Sequence, residues 1–564
     1  MRIKNKLKYS LLALIASTTV SIQSCSIDVV PQDRYAEEAV WADPSTIELY
    51  VDGLYAEFKN FQFGLFPGLG YDNAMDALAD IMKFTSTVPG NGTVNILISS
   101  SSQFSPSSVG LNYWSTGYTR IRRVNEFIEG VRTKSLLSDE EKVKYEAEAR
   151  FIRAYTYFWL AKIHGSVIIQ DDINTYNEKD KQRSSEEQVY DFMIQDLKYA
   201  AENLPVNALA GRANKGAAYA LLSRVALYAG SIAQYDRKQF NSDPLTGITE
   251  SRAREFYQIA ADAAESVRSL NKYELDGNYA SIFTNKNTKE AIFRVDFVYP
   301  SITHQYDYGY APPRDNNGMT LVYGVPTAEL VDEFEMEDGT KFSWTNPEHA
   351  ANPYDKREPR FYATILYNGA SWKGRTLNTT TSDQIEGFIQ YGVEAEPKRT
   401  VTGYYAKKLL DPNNTNLLVN RSTQSWIELR YAEVYLNLAE AKAGLGDFAG
   451  SASVLSELRA KRGLGMVNYN NQSSAMAAIE HERMVELAFE GHRFWDLRRW
   501  RKAHIVLNGR RVTGHKIEST GGSYSYQVVD ADNVDRSFNP RLYYLPIPES
   551  EVLVNLGLTQ IQGW

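Results

Sequence analysis

The stretch "ERMVELAFEGHRFWDLRRW", residues 482–500, combines acidic, basic and aromatic side chains that could form either a catalytic centre or a structural helix. Glu482, Glu486 and Glu490 recur at intervals of four, which would place them on one face of a helix. A separate stripe would be apolar: Met484, Leu487, Ala488 and Phe489. An amphipathic pattern of this kind predicts a structural helix with a solvated row of carboxylates.

The second half of this stretch, "FWDLRRW", carries the large side chains. Phe494, Leu497 and Trp500 have helical spacing and are predicted to be buried anchors. Arg498 and Arg499 are predicted to form salt bridges with nearby carboxylates. These roles also favour a structural segment over a catalytic one.

Motifs of known enzymes and metal sites are incomplete in this sequence. His481 and Glu482 begin like the zinc motif H-E-x-x-H, but Val485 stands where the second His is needed. We find no G-x-S-x-G nucleophile motif and no phosphate-binding loop. The sequence therefore predicts no enzyme, no metal site and no cofactor.

The N-terminus has the pattern of an export signal. Basic residues precede a short apolar run from Leu11 to Val20, which is too short to span a bilayer comfortably. The sequence "IQSC" follows and ends at Cys25, the only cysteine. We predict a signal peptide over 1–24, lipidation of Cys25, a tether over 25–43 and an outer-membrane lipoprotein. An ordinary signal peptide with an incidental cysteine is the alternative.

Charge limits the classes of partner. The chain has 564 residues and a formal net charge of −8, and removal of the basic leader would make it more acidic. An acidic protein is a poor match for nucleic acid and for polyanionic ligands.

Helical periodicity occurs in two blocks, at about 111–270 and about 426–505. The segment "YAEVYLNLAEAKAGLGDFAGSASVLSELRAKRG" has the helix–turn–helix form of a tetratricopeptide repeat. Between the blocks, about 271–425 is rich in Gly, Asn, Pro and Tyr and contains the strand-like "EAIFRVDFVYP". We predict one mostly α domain over 44–564, built from helical hairpins with a long loop-rich insertion that contains short strands.

Several stretches together resemble the SusD/RagB family of outer-membrane nutrient-binding lipoproteins. They are "ERMVELAFEGHRFWDLRRW", "EARFIRAYTYFWLAKIHGSVII", "GRANKGAAYALLSRVALYAG", "RYAEVYLNLAEAKAGLGD" and "YYLPIPESEVLVNLGLTQIQGW". The resemblance covers nearly the whole chain and implies a tetratricopeptide-like scaffold. It also implies a partner, a SusC-like TonB-dependent transporter, and a glycan ligand captured at the cell surface.

The ligand site is expected in loops, where flat aromatic faces meet polar side chains that can bind sugar hydroxyls. Two loop groups have this composition, at Phe61–Phe84 and within the insertion. The candidate ligand-binding residues are Phe66, Tyr71, Asp72, Asn73, Asp80, Tyr306, Tyr308, Tyr310, Arg314, Asn316, Trp344 and Trp372. No family motif fixes these positions, and the same aromatics could instead pack the insertion onto the helices.

Two other functions remain open at this stage. The same scaffold could bind peptides, or the protein could be a glycoside hydrolase, which needs only a suitably spaced pair of carboxylates. The segment Asp530–Arg536, "DADNVDR", has acidic spacing reminiscent of a calcium loop. It lacks the Gly and the distal Glu of an EF-hand, so a solvated turn is predicted there.

Overall fold

A computed structural model describes residues 37–61, 74–88, 94–95, 98, 100, 105–175, 178, 180–235, 243–418 and 421–564. The predicted signal peptide and the lipidation site at Cys25 lie outside these residues. In the described ranges, no helix is both long enough and apolar enough to span a membrane.

The N-terminal elements are α1 (Glu37–Ala42), α2 (Pro44–Tyr55), α3 (Ala74–Ala77) and β1 (Met82–Phe84). Helix α1 begins inside the segment predicted to be a tether. It is ordered there because Trp41 is buried and packs its ring beside Tyr50, 5.9 Å between centroids. Asp43 then caps α2, accepting a hydrogen bond from the Ser45 backbone N–H at 2.9 Å.

The first helical block contains α4 (Trp114–Thr133), α5 (Asp139–His164), α6 (Glu186–Asn203), α7 (Lys215–Tyr235) and α8 (Ala253–Ser269). Each helix packs against the next. Ser138 and Ser185 begin α5 and α6 with capping boxes, and Gly165, at φ 72°, ends α5. Local sequence thus sets the ends of the helices, and burial of their apolar faces holds them together.

The insertion contains the short strands that were predicted, and also short helices that were not. They are β2 (Ala291–Val295), α9 (Tyr306–Tyr310), β3 (Gly324–Pro326), α10 (Ala328–Glu333), α11 (Pro347–Ala351), α12 (Pro359–Thr364), β4 (Ile365–Leu366), β5 (Ser371–Trp372), β6 (Arg375–Thr376), β7 (Tyr405–Ala406) and β8 (Trp426–Arg430). All pairings are antiparallel: β1 with β3, β2 with β8, β4 with β7, and β5 with β6. Strand β1 therefore fastens the first loop group to the insertion.

The second helical block contains α13 (Tyr431–Gly444), α14 (Phe448–Lys461), α15 (Gln472–Glu486), α16 (Arg493–Arg499) and α17 (Ala503–Val506). Helix α13 packs on α7 and α8, so the two blocks form one frame. A hairpin of β9 (Thr513–Thr520) and β10 (Ser523–Asp530) follows, and α18 (Glu549–Val554) lies near the C-terminus. The prediction of a mostly α fold is confirmed.

The predicted solvated row of carboxylates is wrong. Helix α15 ends at Glu486, and the chain turns through Phe489 and Gly491, at φ 64° and 76°, before α16 begins. Glu482 and Glu486 are fully buried, and Glu490 is 8% exposed. The spacing of four does place Glu482 and Glu486 on one face of α15. Periodicity alone, however, does not show which face of a helix meets water.

Arginines from three other elements satisfy these carboxylates. Arg360 donates to Glu482 at 2.5 Å and to Glu486 at 2.9 Å, and Arg430 and Arg462 reach Glu486 at 2.7 and 2.8 Å. Burial opposes ionisation of Glu486, but these guanidinium groups outweigh it and hold the pKa of the carboxyl well below its usual value. We call Glu482, Glu486, Arg360, Arg430 and Arg462 the buried charge network.

The anchor residues of the opening stretch behave as predicted, with one exception. Phe494, Leu497 and Trp500 are buried. Arg499 forms ion pairs with Glu440 and Asp496. Arg498 instead donates to the backbone carbonyl oxygens of Leu542 and Tyr543, so its predicted salt bridge is wrong.

The turn predicted at Asp530–Arg536 is exposed at Asp530 and at residues 533–535, but its central carboxylate is not solvated. Asp532 is 5% exposed and accepts hydrogen bonds from Lys83 at 2.7 Å and from Arg536 at 2.8 Å. Burial opposes ionisation, but Arg536 and Lys83 lower the pKa of Asp532 to about 2. Among the described residues, no group of His, Cys, Asp and Glu side chains could hold a metal ion.

Candidate functional site

The candidate residues of the first loop group lie mostly outside the described residues. Phe66, Tyr71, Asp72 and Asn73 belong to the part that the structure does not describe. Asp80 is 7% exposed, and both of its carboxylate oxygens accept hydrogen bonds from Arg493 at 2.8 Å. Its contacts are those of a structural ion pair.

Two candidates of the insertion are packed inside it. Tyr306 and Tyr310 lie one turn apart on α9, and their rings stack with centroids 4.6 Å apart. Both are buried, so neither ring face is open to a ligand. Tyr308, between them, is half-buried and keeps part of its surface in solvent.

Three further candidates meet around Asp315, whose side chain is fully buried. Trp372, itself buried, donates its indole N–H to Asp315 at 2.6 Å. Arg314 is exposed and pairs with Asp383 at 2.6 Å, and Asn316 donates to the Leu417 carbonyl at 2.9 Å. The structure brings these residues into one region, but each polar group already binds another residue of the protein.

Trp344 is the candidate that ring contacts connect to an open cavity, although it is not one of the residues that line this cavity. Its ring is half-buried and makes an edge contact with Phe342, 5.2 Å between centroids. Phe342 in turn stacks on His349, which lines a cavity of about 650 Å³. We call this the insertion cavity; its lining is Met336, Glu337, Asp338, Pro347, Glu348, His349, Ala351, Asn352, Asp355 and Lys356.

The volume of the insertion cavity lies in the range found for small-molecule sites. Its lining offers carboxylate, amide and ammonium groups, which can bind hydroxyls. Lys356 adopts φ 53°, an uncommon backbone conformation for a residue with a side chain. The cavity therefore has the size and the polar groups that recognition of a hydrophilic ligand requires.

A cluster of aromatic rings stands beside the insertion cavity. Tyr526 of the C-terminal hairpin contacts Trp344 and Tyr354, with centroids 5.5 and 5.7 Å apart. Tyr354 also contacts Tyr367 at 4.7 Å. Burial, with the nearby Tyr524 and Asp355 charges, raises the pKa of Tyr526 to about 12. Asp355 of the cavity directly follows Tyr354 in the chain, so the cavity lies next to this group of rings.

Two contacts hold the Trp344 side chain in place. Its indole N–H donates to Asp332 at 3.0 Å, and its ring lies 4.6 Å from that of His515 on β9. Burial raises the pKa of Asp332 to about 6. A fixed indole with part of its surface in solvent is suited to stacking on the apolar face of a sugar ring.

Sequence reasoning missed the part of this site that comes from the C-terminal hairpin. Tyr524 is 53% exposed, and Tyr526 on the same face is half-buried. The alternation in "SYSYQVVD", which follows Gly521 and Gly522, could have indicated this hairpin, because two glycines with positive φ form its turn. The cavity residues carried no motif, and their grouping depends on the fold.

Comparison with known proteins gives matches to both parts of the chain. A model described as the SusD family matches residues 289–564, and a model described as starch-binding and associating with the outer membrane matches residues 67–227. A SusD-like protein of Bacteroides ovatus is 25% identical over an alignment of 596 positions, including gaps, and this alignment covers 98% of this chain and 97% of that protein.

Solved structures agree with the fold. A SusD-like protein of Bacteroides fragilis superimposes with a TM-score of 0.77 at 29% identity, covering 94% of this chain and 99% of that one. A SusD-like carbohydrate-binding protein of the same species gives 0.74 at 24% identity, with coverage of 92% and 99%.

Proposed function

Because this chain belongs to the SusD family, we propose that it is a cell-surface lipoprotein that binds oligosaccharides or polysaccharide and delivers them to a SusC-like TonB-dependent transporter. The observation that carries the proposal is the pair of family matches, which span most of the chain and include the description of starch binding and outer-membrane association. The insertion cavity and the neighbouring rings of Trp344, Tyr354, Tyr367 and Tyr526 support the proposal, since they supply the polar and the apolar surfaces that sugars need.

In this proposal the protein holds its ligand without changing a covalent bond. The buried charge network belongs to the frame, where each carboxylate is bound by guanidinium groups and is closed to solvent. Trp344 and Tyr526 provide ring surfaces, and Glu337, Asn352 and Asp355 provide hydrogen-bonding groups at the cavity.

The test of binding uses the purified lipoprotein and immobilised polysaccharides, including starch. We expect retention by at least one polysaccharide, and no retention by a peptide digest. Trp344→Ala and Tyr526→Ala are expected to lower the affinity about fivefold each, because an aromatic contact is worth roughly 1 kcal/mol. Tyr219→Ala, at a half-buried ring of α7 in the helical frame, is the matched control and is expected to retain full affinity.

The same experiment separates the other functions. Release of reducing ends from the bound polysaccharide would show a glycoside hydrolase, and retention by peptides alone would show a peptide-binding protein. If the Trp344, Tyr526 and Tyr219 variants bound the polysaccharide with equal affinity, the ligand would not bind at the insertion cavity.

Anchoring and partnership need separate measurements. We expect metabolic labelling with palmitate to be lost in Cys25→Ser, and protease added to whole cells to degrade the wild-type protein at the surface. We also expect a TonB-dependent transporter to co-purify from detergent-solubilised outer membranes. Recovery of the protein alone, or its protection from protease, would contradict the delivery role.

A further inference from the structure

The insertion cavity has a pronounced imbalance of charge. Its lining includes the carboxylates of Glu337, Asp338, Glu348 and Asp355, and a single ammonium group, that of Lys356. His349 also lines the cavity, and its Nδ1 accepts a hydrogen bond from the Ser343 backbone N–H at 3.2 Å. A ligand in the cavity therefore meets an excess of negative charge.

Most of these carboxylates are available to a ligand. Asp338 accepts hydrogen bonds from the backbone N–H and the hydroxyl of Thr340, at 2.9 and 2.6 Å. Within the part of the chain that the structure describes, the side chains of Glu337, Glu348 and Asp355 have neither a hydrogen bond nor an ion pair, and all three are exposed. The carboxylates of the buried charge network, by contrast, are each bound by at least two arginines.

The acidic residues of the insertion cavity lie beside a cluster of aromatic rings, which distinguishes them from an ordinary group of acidic residues on the surface. Tyr362, Tyr367 and Tyr526 are half-buried, and burial, followed by nearby charges that include Asp355, raises the pKa of each hydroxyl. Asp355 directly follows Tyr354, whose ring contacts Tyr367 and Tyr526, so the acidic lining of the cavity adjoins these rings.

We propose that the ligand of the insertion cavity is a glycan without negative charge, neutral or amine-bearing, and that Glu337, Glu348 and Asp355 exclude uronic and sulfated glycans. The inference rests on the proposed glycan binding and names the class of glycan. A free carboxylate accepts two hydrogen bonds from neighbouring hydroxyls. The same carboxylate repels a carboxyl or sulfate group, weakening binding about fivefold for one pair of like charges in contact in water.

The experiment compares derivatives of one backbone, so that only charge varies. The purified lipoprotein is titrated with neutral, carboxymethylated and cationised forms of starch, xylan and dextran at low salt. The test variant is the triple substitution Glu337→Gln, Glu348→Gln and Asp355→Asn, which keeps size and removes charge. The control removes as much charge from exposed positions of other elements: Glu140→Gln, Glu202→Gln and Glu549→Gln.

We expect the affinity for the best-bound neutral polysaccharide to fall about tenfold or more when that polysaccharide is carboxymethylated, and not to fall when it is cationised. The triple variant is expected to remove most of that difference, and the control to leave it unchanged. Because exposed charges are screened, high salt is expected to narrow the difference in the wild-type protein.

Two results would overturn the inference in distinguishable ways. Tight binding of a carboxymethylated form, unaffected by the triple substitution, would leave glycan binding intact and refute the exclusion of negative charge. Absence of binding to every form would refute glycan binding itself and the inference with it.

Discussion

Asp76 is a buried carboxylate that is paired with no cation. It is fully buried, one oxygen accepts a long hydrogen bond of 3.3 Å from the Gly491 backbone N–H, and Oδ1 has no partner within the described residues. Burial raises the pKa of Asp76 to about 7, helped by the nearby Glu490 and Asp80 charges and opposed by Lys408. The folded protein therefore keeps a proton that the unfolded chain releases near pH 4.

This difference predicts a pH-dependent stability. The stabilisation is fully present below the unfolded pKa and is lost as the pH rises through about 7. Asp76→Asn has no such dependence. We expect the free energy of unfolding of the wild-type protein, relative to Asp76→Asn, to fall by about 2 kcal/mol between pH 5 and pH 8.

Urea unfolding at the two pH values measures this prediction. Asp262→Asn, at an exposed position of α8, serves as the control and is expected to follow the wild-type protein. A constant difference between wild type and Asp76→Asn across the range would contradict a raised pKa.

Glu486 gives the second prediction at this scale. It is fully buried and receives hydrogen bonds from Arg360, Arg430 and Arg462. Glu486→Gln removes the one carboxylate that these three guanidinium groups share, although each of them keeps another carboxylate partner. Removing one partner from a buried ion pair costs about 3–5 kcal/mol. We expect a loss of that size in the free energy of unfolding, measured by urea titration.

The matched control is Glu126→Gln, which breaks an exposed pair with Arg122 on α4. A solvent-exposed pair contributes roughly 0–1 kcal/mol, so this change is expected to be nearly silent. Equal effects of Glu486→Gln and Glu126→Gln would show that the buried charge network does not stabilise the fold.

At the scale of elements, close helix contacts depend on glycine. A Cβ atom added to Gly130 of α4 would lie 2.0 Å from the Trp41 ring, whereas one added to Gly53 of α2 would meet only the end of Arg123, at 3.6 Å. Both glycines lie in helices, where alanine is favoured by about 1 kcal/mol.

The two substitutions to alanine are therefore expected to have opposite signs. Gly53→Ala should raise the free energy of unfolding by about 0.5–1 kcal/mol, because only the helix preference changes. Gly130→Ala should lower it by about 1–3 kcal/mol, because Trp41 must move and α1 loses its anchor. Thermal unfolding followed by circular dichroism measures both, and stabilisation by Gly130→Ala would show that Trp41 does not pack as described.

The elements differ in how far the sequence predicted them. The long helices were predictable, since apolar periodicity, Ser138 and Ser185 caps and the Gly165 stop are local features. The pairing of Ile365 with Ala406 was not, because it joins distant residues in strands of two residues each. The hairpin of β9 and β10 was missed although its alternation is local.

The candidate site was predicted less well, for the same physical reason. Trp344 was proposed from composition, and it is connected to the insertion cavity through Phe342 and His349 without lining it. Tyr306, Tyr310 and Trp372 have the same composition and are buried, and burial is decided by distant packing partners. Tyr526 reaches Trp344 only because β10 folds back onto the insertion.

For the whole molecule, the buried charge network joins the insertion to the helical frame. Arg360 comes from the insertion, Arg459 comes from α14, and Arg462 directly follows α14; all three bind carboxylates of α15. Opening either part would leave charges unpaired in a low-dielectric interior, which is costly. The insertion is therefore unable to unfold while the frame stays folded.

Hydrogen exchange by mass spectrometry tests this coupling. We expect the slowest amides of 328–366 and of 431–486 to exchange with the same opening free energy, because both require global unfolding. Glu486→Gln should lower both values equally, and Glu126→Gln should lower neither. The opposite result would be exchange of 328–366 with a lower opening free energy that Glu486→Gln does not change. It would show that the insertion unfolds as a separate unit. The cavity that the insertion carries would then be flexible, whereas we expect it to be rigid.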